Sequence, residues 1–298
     1  MKHQMILTGF ADEIAGDLTT QMAVIRKLSM DHIEMRGVDG DNLIFHTPEK
    51  VTEIKSRLDE NGIRLSALGS PLGKIGITDA FESHFEAFKK AIDIAHKMET
   101  KNIRMFSFYL PGGADPEAYR EAVFDRIGQF VDYADRNDAV LLHENEKGIY
   151  GERAAECKKL MDAFGGKSFH AVFDFANFVQ AKQDTIEAYE LLKDYIAYVH
   201  VKDAIWETGA VVPAGMGDGQ IADILKRMCA EGYKGFLSLE PHLGDFDGFH
   251  LLEQGALHTP MDEKRKLTGE EAFTLAHDSL IKILELNRWN KEVPGWNF

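Results

Sequence analysis

Short apolar, β-rich runs alternate along this chain with amphipathic helical patterns. The runs are MILTG (5–9), HIEMR (32–36), RLSALG (64–69), NIRMFSF (102–108), AVLLHE (139–144), HAVFD (170–174), AYVHVK (197–202) and GFLSLE (235–240). Between them lie stretches such as TTQMAVIRKL, PEKVTEIKSRLDENG, FEAFKKAIDIAHKM and ADILKRMCAEG, whose apolar residues recur at three- and four-residue steps. Helix ends carry the expected signals: Thr47-Pro48 opens one, and Asn61-Gly62 and Gly232 close others. Eight strands alternating with helices predict a parallel sheet. A doubly wound open sheet is the competing architecture, and eight regular units favour closure into a (β/α)8 TIM barrel with an outer ring of helices.

Length and composition agree with that picture. A barrel of this kind needs about 250 residues, and the 298 residues, without a long Pro/Gly/Ser linker or a sequence repeat, predict a single barrel domain over 1–298. The chain is 44% hydrophobic and 28% charged, and it contains no apolar run long enough to span a bilayer. The start, MKHQMILTGFADEI, lacks a secretory apolar region. Only Cys157 and Cys229 occur, too few for a disulfide framework, so both are expected as reduced thiols in a cytoplasmic protein. A formal charge of −15 repels phosphate backbones and disfavours nucleic acid as a partner.

In a closed barrel the chemistry sits at the C-terminal strand ends. Those ends here are Glu34 with Arg36, Gly69-Ser70, Ser107, Glu144, Asp174, His200 with Lys202, and Glu240. An apolar strand ending in a carboxylate is costly to bury unless the charge is paired or bound to metal. Among the late strand ends only Lys147 and Lys202 stand near enough in sequence to pair with Glu144, Asp174 and Glu240. Taken singly, each acid could cap a helix or form an ion pair, and His200 could be a satisfied core histidine. Four such residues on four successive strands point instead to one divalent metal. Three carboxylates and an imidazole favour Mn²⁺ or Mg²⁺, with Co²⁺ and Zn²⁺ as alternatives, and offer no thiolate for a structural zinc site.

At these residues the sequence resembles the sugar isomerase/epimerase superfamily of xylose-isomerase-like barrels. The stretches that carry the likeness are GFADEI (9–14), HIEMRG (32–37), LLHENEKGIYG (141–151), FDFANF (173–178), YVHVKDA (198–204), PAGMGDGQI (213–221) and GFLSLEPH (235–242). The resemblance implies that Glu144, Asp174, His200 and Glu240 bind one metal. Two departures stand out. Many members have a substrate-contacting histidine at the place of Asn177, and an amide can hydrogen-bond a hydroxyl but cannot shuttle a proton. Many epimerases have an arginine soon after the strand-seven histidine, where this chain has Ala204, Ile205 and Trp206. The resemblance thus implies the superfamily, while these two departures set the chain apart from the usual ketose-epimerase pattern. The extra histidines of the three-metal DNA-repair members are not found.

Other residues near the expected mouth are candidates for holding substrate: Arg36, Ser70, Lys147, Asn177, Lys202 and Trp206. Each has a plainer reading. Arg36 can pair with Glu34 on its own strand face, Lys147 with Glu146, and Lys202 with Asp174 or Glu240. Trp206 either stacks on a sugar or makes a homo-oligomer contact. His143 alternates with Glu144 and should point away from the barrel interior. Asp203 is expected to cap a turn and Asp218 the next helix. The irregular stretch from His242 to about Leu267 reads as a lid or an interface. GSPLGK (69–74) lacks phosphate-loop spacing, and the segments DAIWETGAVVPAGMGDG and PHLGDFDGF carry no Arg or Lys, so a phosphorylated substrate is not expected.

These residues predict metal-assisted proton transfer on a small sugar or polyol-derived ketone, with Glu144 and Glu240 as acid and base. Isomerisation or epimerisation is the leading outcome. A lyase, of the inosose-dehydratase or β-eliminating deglycosylase kind, is the alternative. A barrel that holds metal and binds sugars or partners without turnover is the third reading, and it would lack a closed, substrate-sized pocket.

Overall fold

The computed structural model describes residues 4–244, 267–286, 290–292 and 295–297. Eight parallel strands form the barrel: β1 (Gln4–Gly9), β2 (His32–Met35), β3 (Arg64–Leu72), β4 (Asn102–Met105), β5 (Val140–Glu144), β6 (Phe169–Asp174), β7 (Ile196–Val201) and β8 (Gly235–Leu239). Neighbours pair in the order β1-β8-β7-β6-β5-β4-β3-β2. The ring closes between β1 and β2 through the parallel bridge of Phe10 with Glu34. On that side the backbone of residues 295–297 pairs antiparallel with the start of β1.

Helices alternate with the strands: α1 (Leu18–Lys27), α2 (Pro48–Glu60), α3 (Glu82–Lys97), α4 (Arg120–Arg136), α5 (Ala154–Phe164), α6 (Phe175–Gln180), α7 (Thr185–Leu192), α8 (Ile221–Ala230) and α9 (Gly269–Leu286). Their starts follow local chemistry. Asp17 accepts the backbone N–H of Thr20, Thr47 that of Lys50 ahead of Pro48, and Asp184 that of Glu187. None of the described helices is long and apolar enough to cross a membrane.

Two apolar layers result from the strand alternation. The large one joins the outward strand residues to the helices, as with Ile103, Phe130, Leu141, Phe173 and Leu237. A small one of Ala67, Leu142, Val172 and Tyr198 lies inside the barrel, two residues below Glu144, Asp174 and His200. Above that floor the interior is polar. Strand bounds fall within one residue of the apolar runs, except that β3 runs three residues further, to Leu72, and β4 stops three residues short, at Met105, where Ser107 at its expected end accepts the N–H of Gly151 instead. Gly73 marks the tightest loop: its φ is +85° and a Cβ there would stand 2.0 Å from the Phe106 carbonyl oxygen. Both cysteines are free, and burial pushes the Cys157 thiol up. Residues 245–266, most of the expected lid or interface, lie outside the described residues.

Candidate metal centre and active site

Glu144 and Asp174 are the last residues of β5 and β6, His200 is one short of the end of β7, and Glu240 directly follows β8. β6 runs into α6 without a loop. Asp174 therefore serves two structures at once: Oδ1 caps α6 by accepting the Asn177 N–H at 2.7 Å, while Oδ2 is left for the barrel interior. The four side chains are buried and their ligand atoms lie within 4.8 Å of one another. From His200 Nδ1 the distances are 3.1 Å to Glu144 Oε1, 3.6 Å to Glu240 Oε2 and 4.0 Å to Asp174 Oδ2.

The residues fit a divalent ion. Donors at about 2.1 Å from one ion sit about 3 Å apart, close to the spacing observed. His200 Nδ1 and Asp174 Oδ2 are both buried without a hydrogen-bond partner, a state buried polar atoms rarely keep. Charge leads the same way. Asp12, Glu13, Glu34, Glu144, Asp174 and Glu240 form one network of ion pairs with Arg36, Arg104, Lys202, His200 and His242. Among the described residues, six carboxylates against three permanent cations leave three negative charges when the histidines are neutral. Without an ion, protons compensate: burial, reinforced by Glu240 and Glu144 against the opposing Lys202, raises Asp174 to about 7. Burial opposes charge on His200, yet Glu34 and Glu144 carry it well above the usual imidazole range.

Glu13, Glu240 and His242 also approach one another closely enough for a metal. There the Arg36 guanidinium already bridges the same oxygens, Nη1 at 3.3 Å from Glu240 Oε1 and Nη2 at 3.3 Å from Glu13 Oε1. Its Nε donates to Asp12 Oδ2 at 2.7 Å. A resident cation makes this corner a clamp on Glu240. His242 completes it: its backbone N–H donates to Glu13 Oε2 at 2.7 Å, and its Nε2 lies 3.4 Å from Glu240 Oε1.

On the other side Arg104 joins the two glutamates. Its Nη1 lies 3.2 Å from Glu144 Oε2 and 3.8 Å from Glu240 Oε1. The guanidinium rests over the rings of Phe10 and Phe106, at 4.8 and 4.9 Å. Lys202 Nζ stands 3.1 Å from Glu240 Oε2 and 3.4 Å from Asp174 Oδ2. Against the effect of burial, Lys202, His242 and His200 hold Glu240 well below the usual carboxylate range, and His200 and Arg104 do the same for Glu144 despite the nearby Glu240.

A model of the family described as xylose isomerase-like TIM barrel matches residues 22–260. The chain belongs to that family. None of the curated proteins compared with this sequence matches it. Among solved structures, a D-tagatose 3-epimerase-like protein superposes with a TM-score of 0.71 at 15% identity, covering 95% of this chain and 98% of that one. A probable 3-DHS dehydratase involved in petrobactin synthesis from Bacillus anthracis gives 0.70 at 14%, with 93% and 99% covered. The apo 3-keto-D-glucoside 4-epimerase of E. coli gives 0.66 at 15%, with 94% and 99% covered. These likenesses show the shared xylose isomerase-like fold.

On this member of the family the expected site residues divide. Glu144, Asp174, His200, Glu240, Lys202, Arg36 and Asn177 converge. Asn177 Nδ2 donates to the Asn145 carbonyl at 2.9 Å and to Glu144 Oε1 at 3.3 Å. Ser70 is buried, with its hydroxyl spent on the Arg104 carbonyl. Lys147 and Trp206 are exposed, and the Trp206 ring lies beside Lys182. Several expectations need correction. Glu34 and Arg36 do not pair with each other: Glu34 faces His200, and Arg36 reaches Asp12, Glu13 and Glu240. Among the late acids, Glu144 and Glu240 find arginine partners on or just after early strands, whereas Asp174 pairs with Lys202. Asp218 does not cap α8, whose N-cap is Gln220; it accepts the Trp206 N–H at 2.6 Å. Asp203 does organise a turn, accepting the N–H groups of Ala204, Gly215, Gly217 and Gly219. His143 packs behind its strand, against Gly151 and Phe169.

Sequence reading missed Arg104, Asp12, Glu13 and Ser238. For Arg104 a signal existed: it alternates with Ile103 and Met105 inside an apolar strand, so period two aims it inward. The apolar run continues to Phe108 and so puts Ser107, not Arg104, near the expected strand end.

Proposed function

We propose that this chain is a divalent-metal-dependent isomerase or epimerase of a small sugar or polyol-derived ketone. The observation that carries the reading is that Glu144 and Glu240, two ionised carboxylates, approach one His200 nitrogen while a single guanidinium, Arg104, reaches both. Glu144, Asp174, His200 and Glu240 would hold the ion, which when bound supplies Lewis-acid polarisation of a carbonyl and stabilises the enediolate charge. Mn²⁺ suits the oxygen-rich set, with Mg²⁺, Co²⁺ and Zn²⁺ as alternatives.

The remaining chemistry belongs to the side chains. One glutamate takes the proton from carbon beside the carbonyl and later loses it to solvent, and the other, once it has taken a proton from solvent, gives that proton to carbon. Both are weak bases here, held ionised by Arg104, Lys202 and His200. They can take only an acidified C–H proton, and they release it readily. Lys202 would donate a hydrogen bond to a substrate oxygen, and Asn177, whose two Nδ2 hydrogens go to Asn145 and Glu144, would accept one from a substrate hydroxyl through Oδ1. A lyase is the second reading: Lys202, buried between Asp174 and Glu240, is placed to protonate a departing β-hydroxyl. Likeness to both epimerases and a dehydratase is consistent with this family of outcomes.

The test is a screen of ketohexoses, inososes and 3-keto-glycosides with Mn²⁺, followed by NMR in D₂O. Deuterium at carbon without loss of water supports isomerase or epimerase action. A conjugated enone supports the lyase. Full occupancy by Mn²⁺ with neither exchange nor product in any class would leave only a sugar- or partner-binding barrel.

A further inference from the structure

We infer that Glu34 is the positioning residue of this centre: it fixes the His200 ring so that Nδ1 faces the metal ligands, and it acts on a bound ion only through that ring. The inference rests on the metal site proposed above. His200 Nε2 lies 3.1 and 3.3 Å from the two oxygens of Glu34. Both side chains are wholly buried.

Three features make this contact more than packing. First, a neutral imidazole carries one N–H. A carboxylate can only accept, so Glu34 draws that hydrogen to Nε2 and leaves the Nδ1 lone pair aimed at Glu144, Asp174 and Glu240. Nδ1 is the His200 nitrogen without a hydrogen bond, as a ligating nitrogen must be. Second, among the described residues His200 is the only basic side chain at ion-pair distance from Glu34, and its Nε2–H is a donor available to that carboxylate. The neighbouring Arg36 is taken by Asp12, Glu13 and Glu240. A buried carboxylate with no arginine or lysine is costly, and the imidazole is what offsets that cost. Third, Glu34 is itself held. Ser238 Oγ donates to Oε2 at 2.6 Å from the strand position paired with His200. Below, Ser66 joins Tyr198 and Thr8, each at 2.8 Å. The His200 ring also meets Phe10 and Tyr198 edge-on, with centroids 5.1 and 5.7 Å away. The ring is thus boxed on its flanks and anchored at Nε2, the arrangement by which outer carboxylates orient metal-bound histidines.

The experiment is Mn²⁺ binding to the chelator-stripped full chain, measured by calorimetry for wild type, Glu34→Gln and His200→Ala, with melting of the metal-free proteins alongside. Glu34→Gln should bind one ion about 10- to 100-fold more weakly, the usual cost of losing such a partner. A purely structural carboxylate would lower the melting temperature and leave the affinity of the folded protein unchanged. Wild-type affinity in Glu34→Gln, with His200→Ala weakened, overturns this inference alone. Wild-type affinity in His200→Ala, or no binding by the wild type, overturns the proposed metal site and this inference together. If Glu34→Gln does not fold, Ser238→Ala decides the matter: it keeps the carboxylate but frees it, and it should weaken binding several-fold, whereas unchanged affinity overturns the assignment.

Discussion

The late strands, β5 to β8, and the early strands, β1 to β4, build opposite halves of one site. The late half presents ligand atoms: Asp174 Oδ2 and His200 Nδ1 are buried without a hydrogen bond, with Lys202 and Glu144 at ion-pair distance. The early half presents fixed charge. Arg36 is locked between Asp12, Glu13 and Glu240, Arg104 is spread over two rings, and Glu34 is bonded to His200 and Ser238. A ligand set needs open lone pairs, while its acids need neighbouring cations to remain ionised in a dry interior. The arginines come from the early strands, Arg36 after β2 and Arg104 on β4, while the end of β7 adds Lys202 beside its own ligand His200.

The largest expected effect comes from breaking the late half. Asp174→Ala and His200→Ala should each lose nearly all bound metal after dialysis against a limiting Mn²⁺ buffer, read by elemental analysis. Wild-type occupancy in both would remove the ligand assignment. Glu144→Gln and Glu240→Gln separate ligation from proton transfer. Each keeps a ligand oxygen but loses the basic carboxylate, so turnover at saturating metal should fall by about 10² or more. Near wild-type turnover in a reloaded Gln variant would move the base elsewhere, to Lys147 or His242.

The early half should reveal itself in stability. Arg104→Met strips the guanidinium from two buried glutamates that keep His200, Arg36 and Lys202 as partners, so the loss should stay below the roughly 3–5 kcal/mol of leaving a buried charge unpaired. Urea unfolding of the metal-free protein measures it. Arg104→Lys should recover part of the loss, since one cation remains but cannot span both acids. Equal losses in Met and Lys would show that ring packing, and not charge, is what Arg104 supplies.

The smallest effect sharpens the comparison by testing a histidine outside both halves. His84 Nε2 accepts the Gly73 N–H at 2.7 Å. Burial, with Arg126 adding, lowers its pKa to about 4. The unfolded chain therefore binds the proton first as pH falls. The stability His84 contributes is complete above its ordinary value of about 6.5 and disappears as pH drops through about 4. The melting gap between wild type and His84→Gln should narrow between pH 7 and pH 4.5, by a few degrees at most. A gap that stays constant would show that this imidazole does not titrate against folding.

Much of this was readable in the chain. Strand alternation, Thr47-Pro48 and the acids closing β5, β6 and β8 follow from local rules: period two, capping chemistry, and the cost of ending an apolar run on a charge. Those rules act over a few residues, so the sequence alone determined the barrel and the line of Glu144, Asp174, His200 and Glu240. The partners were another matter. Arg36 meets Glu240 across 204 positions, Glu34 meets His200 across 166, and Arg104 meets Glu144 across 40. Locally, Glu34 and Arg36 look like a pair, because they share a strand face two residues apart. Closure of the barrel brings Asp12, Glu13, His200 and Glu240 within reach, and each side chain takes the partner that best satisfies a buried charge. Ion pairing in a dry interior is decided by distance in space, which only the tertiary structure sets.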